Sequence, residues 1–172
     1  MRTEASQVPK QVAKDSQHMA ELTAAAMFAS DAATRGLDMQ IVHVAEGTAT
    51  LSMLIKPTML NGHKTCHGGY LFTLADSAFA FACNSRNQVA VAAGCSIEFL
   101  SPGREGDVIT ATATEQSLTG RTGIYDARLM NQNGQLIALF RGKSHKLNAE
   151  VVPGLVLQEN AVPNELVRSN LS

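Results

Sequence analysis

One stretch of apolar and small residues, 68–83 (GGYLFTLADSAFAFAC), carries a single charge, Asp76. Its length and its many alanines predict a helix that ends near residue 84 or 85, where the turn-forming sequence NSRN begins. A helix that is apolar almost all round is a buried helix. A carboxylate is costly to bury unless it is paired, hydrogen-bonded or functional, so Asp76 is the first candidate for chemistry.

Helical and strand patterns lie on both sides of this segment. Apolar positions at helical spacing predict a helix over residues 15–34, and residues 39–46 and 48–55 predict an antiparallel hairpin. Four further strands are predicted after the central helix, with connectors of the type found in β-meanders. This order predicts an α+β domain in which about six antiparallel strands wrap around the long helix. The four later strands cover residues 89–100, 107–117, 123–130 and 136–146.

Both ends of the chain are predicted to lie outside this domain. Residues 1–14 are polar and predict a flexible N-terminal lead-in, whereas residues 148–172 predict a C-terminal surface tail. Residues 15–147 then form one domain, which suits a chain of 172 residues with 45% hydrophobic and 17% charged residues.

Charge and cysteine content exclude several function classes. A formal net charge of -1 and a pI of about 6.5 provide no basic field for nucleic acid or for an anionic membrane. The N-terminus lacks the apolar core of a signal peptide, and no stretch approaches the roughly 18 apolar residues of a membrane span. Three cysteines without CxxC spacing suit a reducing compartment. We therefore expect a cytoplasmic protein with free thiols and without a membrane or nucleic-acid partner.

Asp76 shares one stripe of the predicted helix with Thr73, Ser77, Ala80 and Asn84, because these positions are three or four residues apart. In one interpretation the stripe hydrogen-bonds a neighbouring loop, or a copy of itself across a dimer. In the other, Asp76 is a general base or nucleophile that Ser77 or Thr73 orients. The stripe alone leaves both interpretations open.

The loop at residues 61–69 (NGHKTCHGG) leads into the N-terminus of this helix. Free backbone N–H groups and the helix dipole favour negative charge there. Gly68 can therefore offer its amide to a carbonyl oxygen as an oxyanion hole, and Asn61 and His67 either add donors or hold the loop in shape. The alternative is an ordinary glycine-rich helix start with two capping polar residues.

The spacing of Gly68 and Asp76 has a geometric consequence. Eight residues of helix separate them by about 12 Å, which is too far for both to act on one carbonyl group. If both serve one reaction, Gly68 of one subunit must face Asp76 of another. Two antiparallel helices packed about a twofold axis then give two composite sites per homodimer.

The helix and its surroundings contain three linked motifs: NGHKTCHGG at 61–69, LFTLADSAFA at 71–80 and GCSIEFLSP at 94–102. Together they resemble the PaaI family of hotdog-fold acyl-CoA thioesterases, associated with phenylacetate degradation, over about residues 36–147. The resemblance implies a hotdog fold and dimers that pair into homotetramers. We expect no cofactor and no metal ion. The resemblance also implies hydrolysis of aryl- or medium-chain acyl-CoA, of the phenylacetyl-CoA or hydroxyphenylacetyl-CoA type.

The same resemblance implies a role for each matching residue. Asp76 corresponds to the nucleophile or general base of that family, and Gly68 corresponds to the glycine that supplies the oxyanion amide. Asn61 and His67 correspond to the asparagine and the histidine of the motif. The site of the family is shared between subunits, which agrees with the distance argument. The N-terminal lead-in and the tail after Leu147 lie outside the resemblance.

A CoA ester carries adenosine and phosphates, so a local cationic rim is expected despite the near-neutral net charge. Arg121, between Gly120 and Thr122 in a turn sequence, is the first candidate for binding the CoA moiety. Lys143 and Lys146 on the last predicted strand come next. The alternative for each is an ordinary solvated surface cation.

Other interpretations of the loop and the helix are weaker. His63 and His67 with Cys66 between them resemble a metal cluster, but the Glu of HExxH and a second ligand group are missing. Cys66 as a nucleophile paired with His67 is disfavoured, because sequence neighbours seldom present the required geometry. A hotdog-fold dehydratase would pair a loop histidine with a helix acid to act on hydroxyacyl thioesters. A non-catalytic acyl-CoA-binding module would bind its ligand without needing Asp76.

Overall fold

A computed structural model describes residues 11–158 of the chain, in which three α-helices and eight strands form. No helix in this part of the chain is both long and apolar enough to cross a membrane. The helices are α1 (Ser16–Ser30), α2 (Ala32–Gly36) and α3 (Gly68–Asn84). The strands are β1 (Gln11–Ala13), β2 (Gln40–Ala45), β3 (Thr48–Leu54), β4 (Gln88–Phe99), β5 (Val108–Thr119), β6 (Thr122–Met130), β7 (Leu136–Glu150) and β8 (Leu155–Leu157).

Six strands form one antiparallel sheet in the order β2-β3-β5-β6-β7-β4, and α3 packs on one face of it. Phe79 of α3 lies against Tyr125 and Phe140 of the sheet, with ring centroids 5.5 and 5.9 Å apart. Gly142 makes this contact possible, since a Cβ at that position would lie 2.9 Å from the Phe79 ring. The predicted α+β hotdog architecture, a long helix wrapped by about six strands, is confirmed.

The end of α3 at Asn84 also agrees with the prediction, and a side chain explains it. Asn84 accepts a hydrogen bond from the Ala90 N–H at 2.8 Å and donates one to the Ala90 carbonyl at 3.1 Å. The amide thus occupies both backbone groups of a residue at the start of β4, which ties the end of the helix to the strand.

The single helix predicted over residues 15–34 is two helices. Asp31 lies between them in an extended conformation, and its carboxylate accepts the Thr34 N–H at 3.0 Å. An aspartate that caps a new helix ends the preceding one, because its own backbone is not helical. The helical spacing continues through this point, which is why the pattern did not reveal the break.

The meander predicted after α3 is wrong at its first connector. Residues 101–106 join β4 to β5, but β4 pairs with β7, and β5 lies between β3 and β6. Turn residues show that the chain reverses without showing which strand becomes the neighbour. The two later connectors form hairpins as predicted, because β5, β6 and β7 are adjacent in the sheet.

Strand β4 lies at an edge of the sheet and contains a β-bulge, a register shift between Ala92 and Gly94. After an extra residue in one strand, each side chain points to the face of the sheet opposite to the one that regular alternation would give. After the bulge, Cys95 and Phe99 contact α3, and Ile97 packs on the core that α3 shares with the sheet. The bulge therefore determines which β4 side chains reach the helix.

The predicted surface tail at 148–172 needs correction in its first part. Strand β7 continues to Glu150, and β8 pairs in parallel with β1, so the lead-in is also partly structured. Asn87 holds this segment, since its side chain bonds the backbone of Val152 and Leu155. Proline and glycine in the tail predicted turns, but they did not predict the hydrogen bonds from Asn87 to this segment. The remaining predicted lead-in and tail, residues 1–10 and 159–172, lie outside the described residues.

Candidate active site

Gly68 is the first residue of α3, and His67 caps the helix. The His67 Nδ1 accepts the Gly69 N–H at 3.0 Å, and the His67 carbonyl accepts the Tyr70 N–H at 3.0 Å. Within residues 11–158 no hydrogen bond engages the Gly68 N–H. The cap thus satisfies the neighbouring amides and leaves the Gly68 amide available to a ligand.

Asn61 shapes the loop that precedes this amide. The Oδ1 of Asn61 accepts the backbone N–H groups of His63 and Thr65 at 2.9 and 3.3 Å. The backbone N–H of Asn61 donates to the Thr65 carbonyl at 2.8 Å. Asn61 and His67 both make contacts that hold the loop in shape. This is one of the two roles that the sequence left open for them.

Gly68 lines a cavity of about 410 Å³ whose wall is partly polar and partly apolar. A Cβ on Gly68 would lie 2.7 Å from Cζ of Phe99, so glycine lets the Phe99 ring approach the helix N-terminus closely. The ring is 53% exposed and forms part of the cavity wall. The cavity is lined by Asn61, Thr65, Cys66, Gly68, Leu71 and residues 99–103. It combines an unengaged amide donor with the apolar side chains of Leu71 and Phe99, an arrangement that suits a carbonyl group on an apolar acyl chain.

Asp76 lies half-buried in the middle of α3. Burial raises the pKa of its carboxyl group, and a hydrogen bond from Cys95, with Sγ 3.9 Å from Oδ1, lowers it in part. No ion pair joins this carboxylate to a lysine, arginine or histidine in the described part of the chain. A carboxyl group with a raised pKa and no cation nearby is a candidate general base or nucleophile.

Ser77 does not orient Asp76 as predicted, because its hydroxyl lies 3.0 Å from Oγ1 of the buried Thr34. That contact fastens α2 to α3. Thr73, the other predicted orienter, donates to the Gly69 carbonyl at 2.8 Å. The side chain that reaches Asp76 is Cys95, which sequence reasoning missed because the bulge that aims it has no clear signature in the sequence.

Two observations place Gly68 and Asp76 far apart within one chain. The helix separates them by about 12 Å. Strand β4 runs along the same path, with Phe99 at Gly68 and Cys95 at Asp76, and four residues of strand span about 13 Å. The helix and the strand agree, so one chain does not bring both groups to the same carbonyl.

Comparison with known proteins decides the family. The thioesterase superfamily matches residues 63–138. The acyl-coenzyme A thioesterase PaaI of Escherichia coli K12 is 47% identical over 134 residues, which cover 78% of this chain and 96% of that protein. This chain belongs to the PaaI family of thioesterases.

A second relative and the solved structure of E. coli PaaI agree with this family. A putative esterase of Archaeoglobus fulgidus is 37% identical over 141 residues, covering 82% of this chain and 91% of that protein. The solved structure of the E. coli PaaI protein from the phenylacetic acid degradation operon has a TM-score of 0.78 at 44% identity. It covers 83% of this chain and 100% of the E. coli chain.

The residues predicted to bind CoA lie at the β5–β6 turn and on β7 of this PaaI-family fold. Gly120 takes a positive φ of 57° in the turn, and Arg121 is exposed and donates to Oδ1 of Asn148 at 2.8 Å. Thr122 begins β6. Lys143 is exposed on the face of the sheet opposite α3, since the neighbouring Gly142 faces Phe79. No hydrogen bond within residues 11–158 joins these residues to Gly68 or Asp76.

The loop of this family member does not resemble a metal or thiol site. Cys66 is buried, and burial raises the pKa of its thiol to about 11, which disfavours the nucleophilic thiolate. The His67 Nδ1 already accepts the Gly69 N–H. In the described part of the chain no three His, Cys, Asp or Glu side chains lie close enough to hold a metal ion.

Proposed function

We propose that this chain hydrolyses acyl-CoA thioesters to a free acid and CoA. The preferred acyl groups are aryl or medium-chain, of the phenylacetyl or hydroxyphenylacetyl type. The observation that carries the proposal is the unengaged Gly68 amide at the wall of a cavity, in a chain whose helix also carries the half-buried carboxylate of Asp76. E. coli PaaI is named an acyl-coenzyme A thioesterase and comes from the phenylacetic acid degradation operon, which supports the substrate class.

In this reaction the thioester carbonyl oxygen accepts a hydrogen bond from the Gly68 N–H. A water oxygen attacks the carbonyl carbon while Asp76 of the partner subunit takes the proton of that water. The oxyanion of the tetrahedral intermediate is stabilised at Gly68. When the intermediate collapses, the C–S bond breaks, the CoA sulfur leaves as a thiolate, and it takes up the proton.

A second route uses the same atoms. The Asp76 carboxylate attacks the carbonyl carbon directly, CoA leaves, and water then cleaves the mixed anhydride. Single-turnover hydrolysis in oxygen-18 water detects the covalent route when water attacks the aspartyl carbon of the anhydride. Attack by Asp76 places the label in the carboxylate of the protein when water cleaves the anhydride at the aspartyl carbon, whereas a general base leaves the protein unlabelled.

The proposed active unit is a homodimer with two shared sites, and two dimers form a homotetramer. The separation of about 12 Å between Gly68 and Asp76 supports sharing. Strand β4 supports a twofold contact, because it is an edge strand whose residues 91–96 are exposed. Proteins rarely leave such an edge uncovered. A copy that pairs there lies beside Asp76, since Cys95 is in the same stretch.

Hydrolysis is tested with a panel of CoA esters, measuring free CoA with a thiol reagent. We expect release of CoA from phenylacetyl-CoA and hydroxyphenylacetyl-CoA with kcat/KM of about 10⁴ M⁻¹s⁻¹ or more. Octanoyl-CoA and 3-hydroxyacyl-CoA extend the panel. Loss of water from the 3-hydroxyacyl ester without CoA release would indicate a dehydratase. Saturable binding without turnover of any ester would indicate a non-catalytic acyl-CoA-binding module.

We also propose that the CoA moiety lies along Gly120, Arg121, Thr122 and Lys143. An exposed guanidinium that meets a phosphate contributes about 1 kcal/mol, so Arg121→Glu is expected to raise KM for phenylacetyl-CoA about three- to tenfold. KM for phenylacetyl-pantetheine, which lacks the nucleotide, should not change. Arg35→Glu on α2 is the matched control. Equal effects on both substrates would contradict a nucleotide contact.

The proposed location is the cytoplasm. All three cysteines are free thiols, which is the state that a reducing compartment maintains.

A further inference from the structure

The surroundings of Asp76 contain one donor that no part of the proposed reaction uses. Cys95 Sγ lies 3.9 Å from Asp76 Oδ1, and this is the one side-chain hydrogen bond to that carboxylate within residues 11–158. The inference that follows rests on the proposed function, because it concerns the same carboxylate.

The contact depends on a specific distortion of β4. The bulge between Ala92 and Gly94 brings Cys95 to the side of the strand that faces α3, while the next residue, Ser96, lines a cavity on the other face of the sheet. Regular alternation from Ala90, which faces the end of α3, would have turned Cys95 away from the helix. Bulges often re-aim a side chain beside a functional site.

We propose that Cys95 is a positioning residue for Asp76, whose thiol donates to Oδ1 and leaves Oδ2 directed at the water or the carbonyl carbon. A carboxylate held by one oxygen keeps one orientation, and hydrogen bonding to the charged form favours that form.

The electrostatics make the thiol a donor rather than a nucleophile. Burial and the adjacent Asp76 carboxylate both raise the pKa of the Cys95 thiol, so it keeps its proton. The other titratable group that the Asp76 charge affects is Cys83 of α3. It is buried, its pKa is raised to about 12, and its thiol donates to the Ala80 carbonyl. Cys83 is therefore neutral and engaged elsewhere, so among the described groups Cys95 is the donor that acts on Asp76.

The kinetic test compares Cys95→Ala, which lacks a donor, with Cys95→Ser, which keeps one. We expect kcat for phenylacetyl-CoA to fall about tenfold in Cys95→Ala with little change in KM. The acid limb of its kcat/KM profile should move to higher pH, because the pKa of Asp76 rises further when the donor is lost. Cys95→Ser should restore both. Ser52→Ala, on the opposite face of the sheet in β3 and away from β4, is the control and should behave like the wild type.

A second measurement does not depend on turnover. The S–H stretching band in the infrared spectrum, recorded as a function of pH and corrected with the spectrum of Cys95→Ala, reports the ionisation of the Cys95 thiol without a reagent that must reach it. In Asp76→Asn, which lacks the neighbouring charge, Cys95 should ionise at lower pH than in the wild type. Coincident titration curves would overturn the contact, whatever the substrate panel shows.

The outcomes separate this inference from the proposed function. If the wild type releases CoA and Cys95→Ala keeps its kcat and its acid limb, the positioning role is wrong and the thioesterase stands. If Cys95→Ser is no better than Cys95→Ala, the thiol acts only by packing. If no ester is hydrolysed but the Cys95 titration curves differ, the contact stands and the proposed reaction is wrong.

Discussion

Asp76→Asn is expected to lower kcat for phenylacetyl-CoA about 100- to 10,000-fold, the contribution typical of a general base. The amide neither takes a proton from water nor attacks a carbonyl carbon, so both proposed routes lose their essential group. The measurement is CoA release under saturating substrate, and Asp76→Ala should show the same loss. Asp126→Asn, which changes a carboxylate on the opposite face of the sheet, is the control and should retain activity.

The stability of the same variant shows whether a loss of activity reflects unfolding. Burial raises the pKa of Asp76 in the folded state, so its ionised form destabilises the fold at pH values above that raised pKa. Below the ordinary aspartate pKa of about 3.9 the group is protonated in both states and the penalty vanishes. Asp76→Asn should therefore have a Tm at pH 7 equal to or above that of the wild type, with the difference disappearing in acid. Normal turnover in such a folded variant would contradict the catalytic assignment.

Local patterns predicted the parts of the site that lie within one element. The apolar run predicted α3, its start at Gly68 and its end at Asn84, because helix length, alanine content and the following turn are all local properties. The lone charge in that run pointed to Asp76. The spacing along one helix also separated Gly68 from Asp76, so a second subunit is needed if both serve one reaction.

Properties that depend on distant residues were not predictable in the same way. Ser77 was placed on the Asp76 stripe, but the hydroxyl of Thr34 in α2 lies beside it instead. Cys95 reaches Asp76 only because β4 pairs with β7 and carries a bulge, and neither feature has a reliable local signal. The partner of a side chain is thus harder to predict than the element that carries it.

Removing the Gly68 amide hydrogen tests the oxyanion site directly, and proline is suited to it. Gly68 is the first helical residue, where proline is favoured, and His67 has φ -62° and ψ 131°, a conformation that a following proline accepts. Gly68→Pro should lower kcat about 100- to 1,000-fold, as expected for the loss of one oxyanion donor. Gly68→Ala adds the same Cβ beside the Phe99 ring but keeps the N–H, so it isolates the steric part. An equal loss in both variants would mean that the amide hydrogen has no role.

Mixed dimers of Gly68→Pro and Asp76→Asn subunits then test whether the sites are shared. One of the two sites combines an intact Gly68 from the Asp76→Asn subunit with an intact Asp76 from the Gly68→Pro subunit. The other site carries both defects. Two nearly inactive parents should therefore yield a mixed dimer with about half the activity of the wild type, because a twofold dimer has two equivalent sites. Different affinity tags on the two subunits allow the mixed species to be purified, and native mass spectrometry verifies its composition.

The alternative arrangement makes the opposite prediction for the same sample. If Gly68 and Asp76 of one chain served one site, each site of the mixed dimer would contain one defect and activity would stay at the level of the parents. That arrangement would require Gly68 and Asp76 of one chain to meet at one carbonyl group. The helix and strand β4 instead keep these two residues about 12 to 13 Å apart. Recovery of activity on mixing would therefore show that Gly68 and Asp76 of one site come from different subunits. This is the result expected for a rigid helix that holds the two residues of one chain apart.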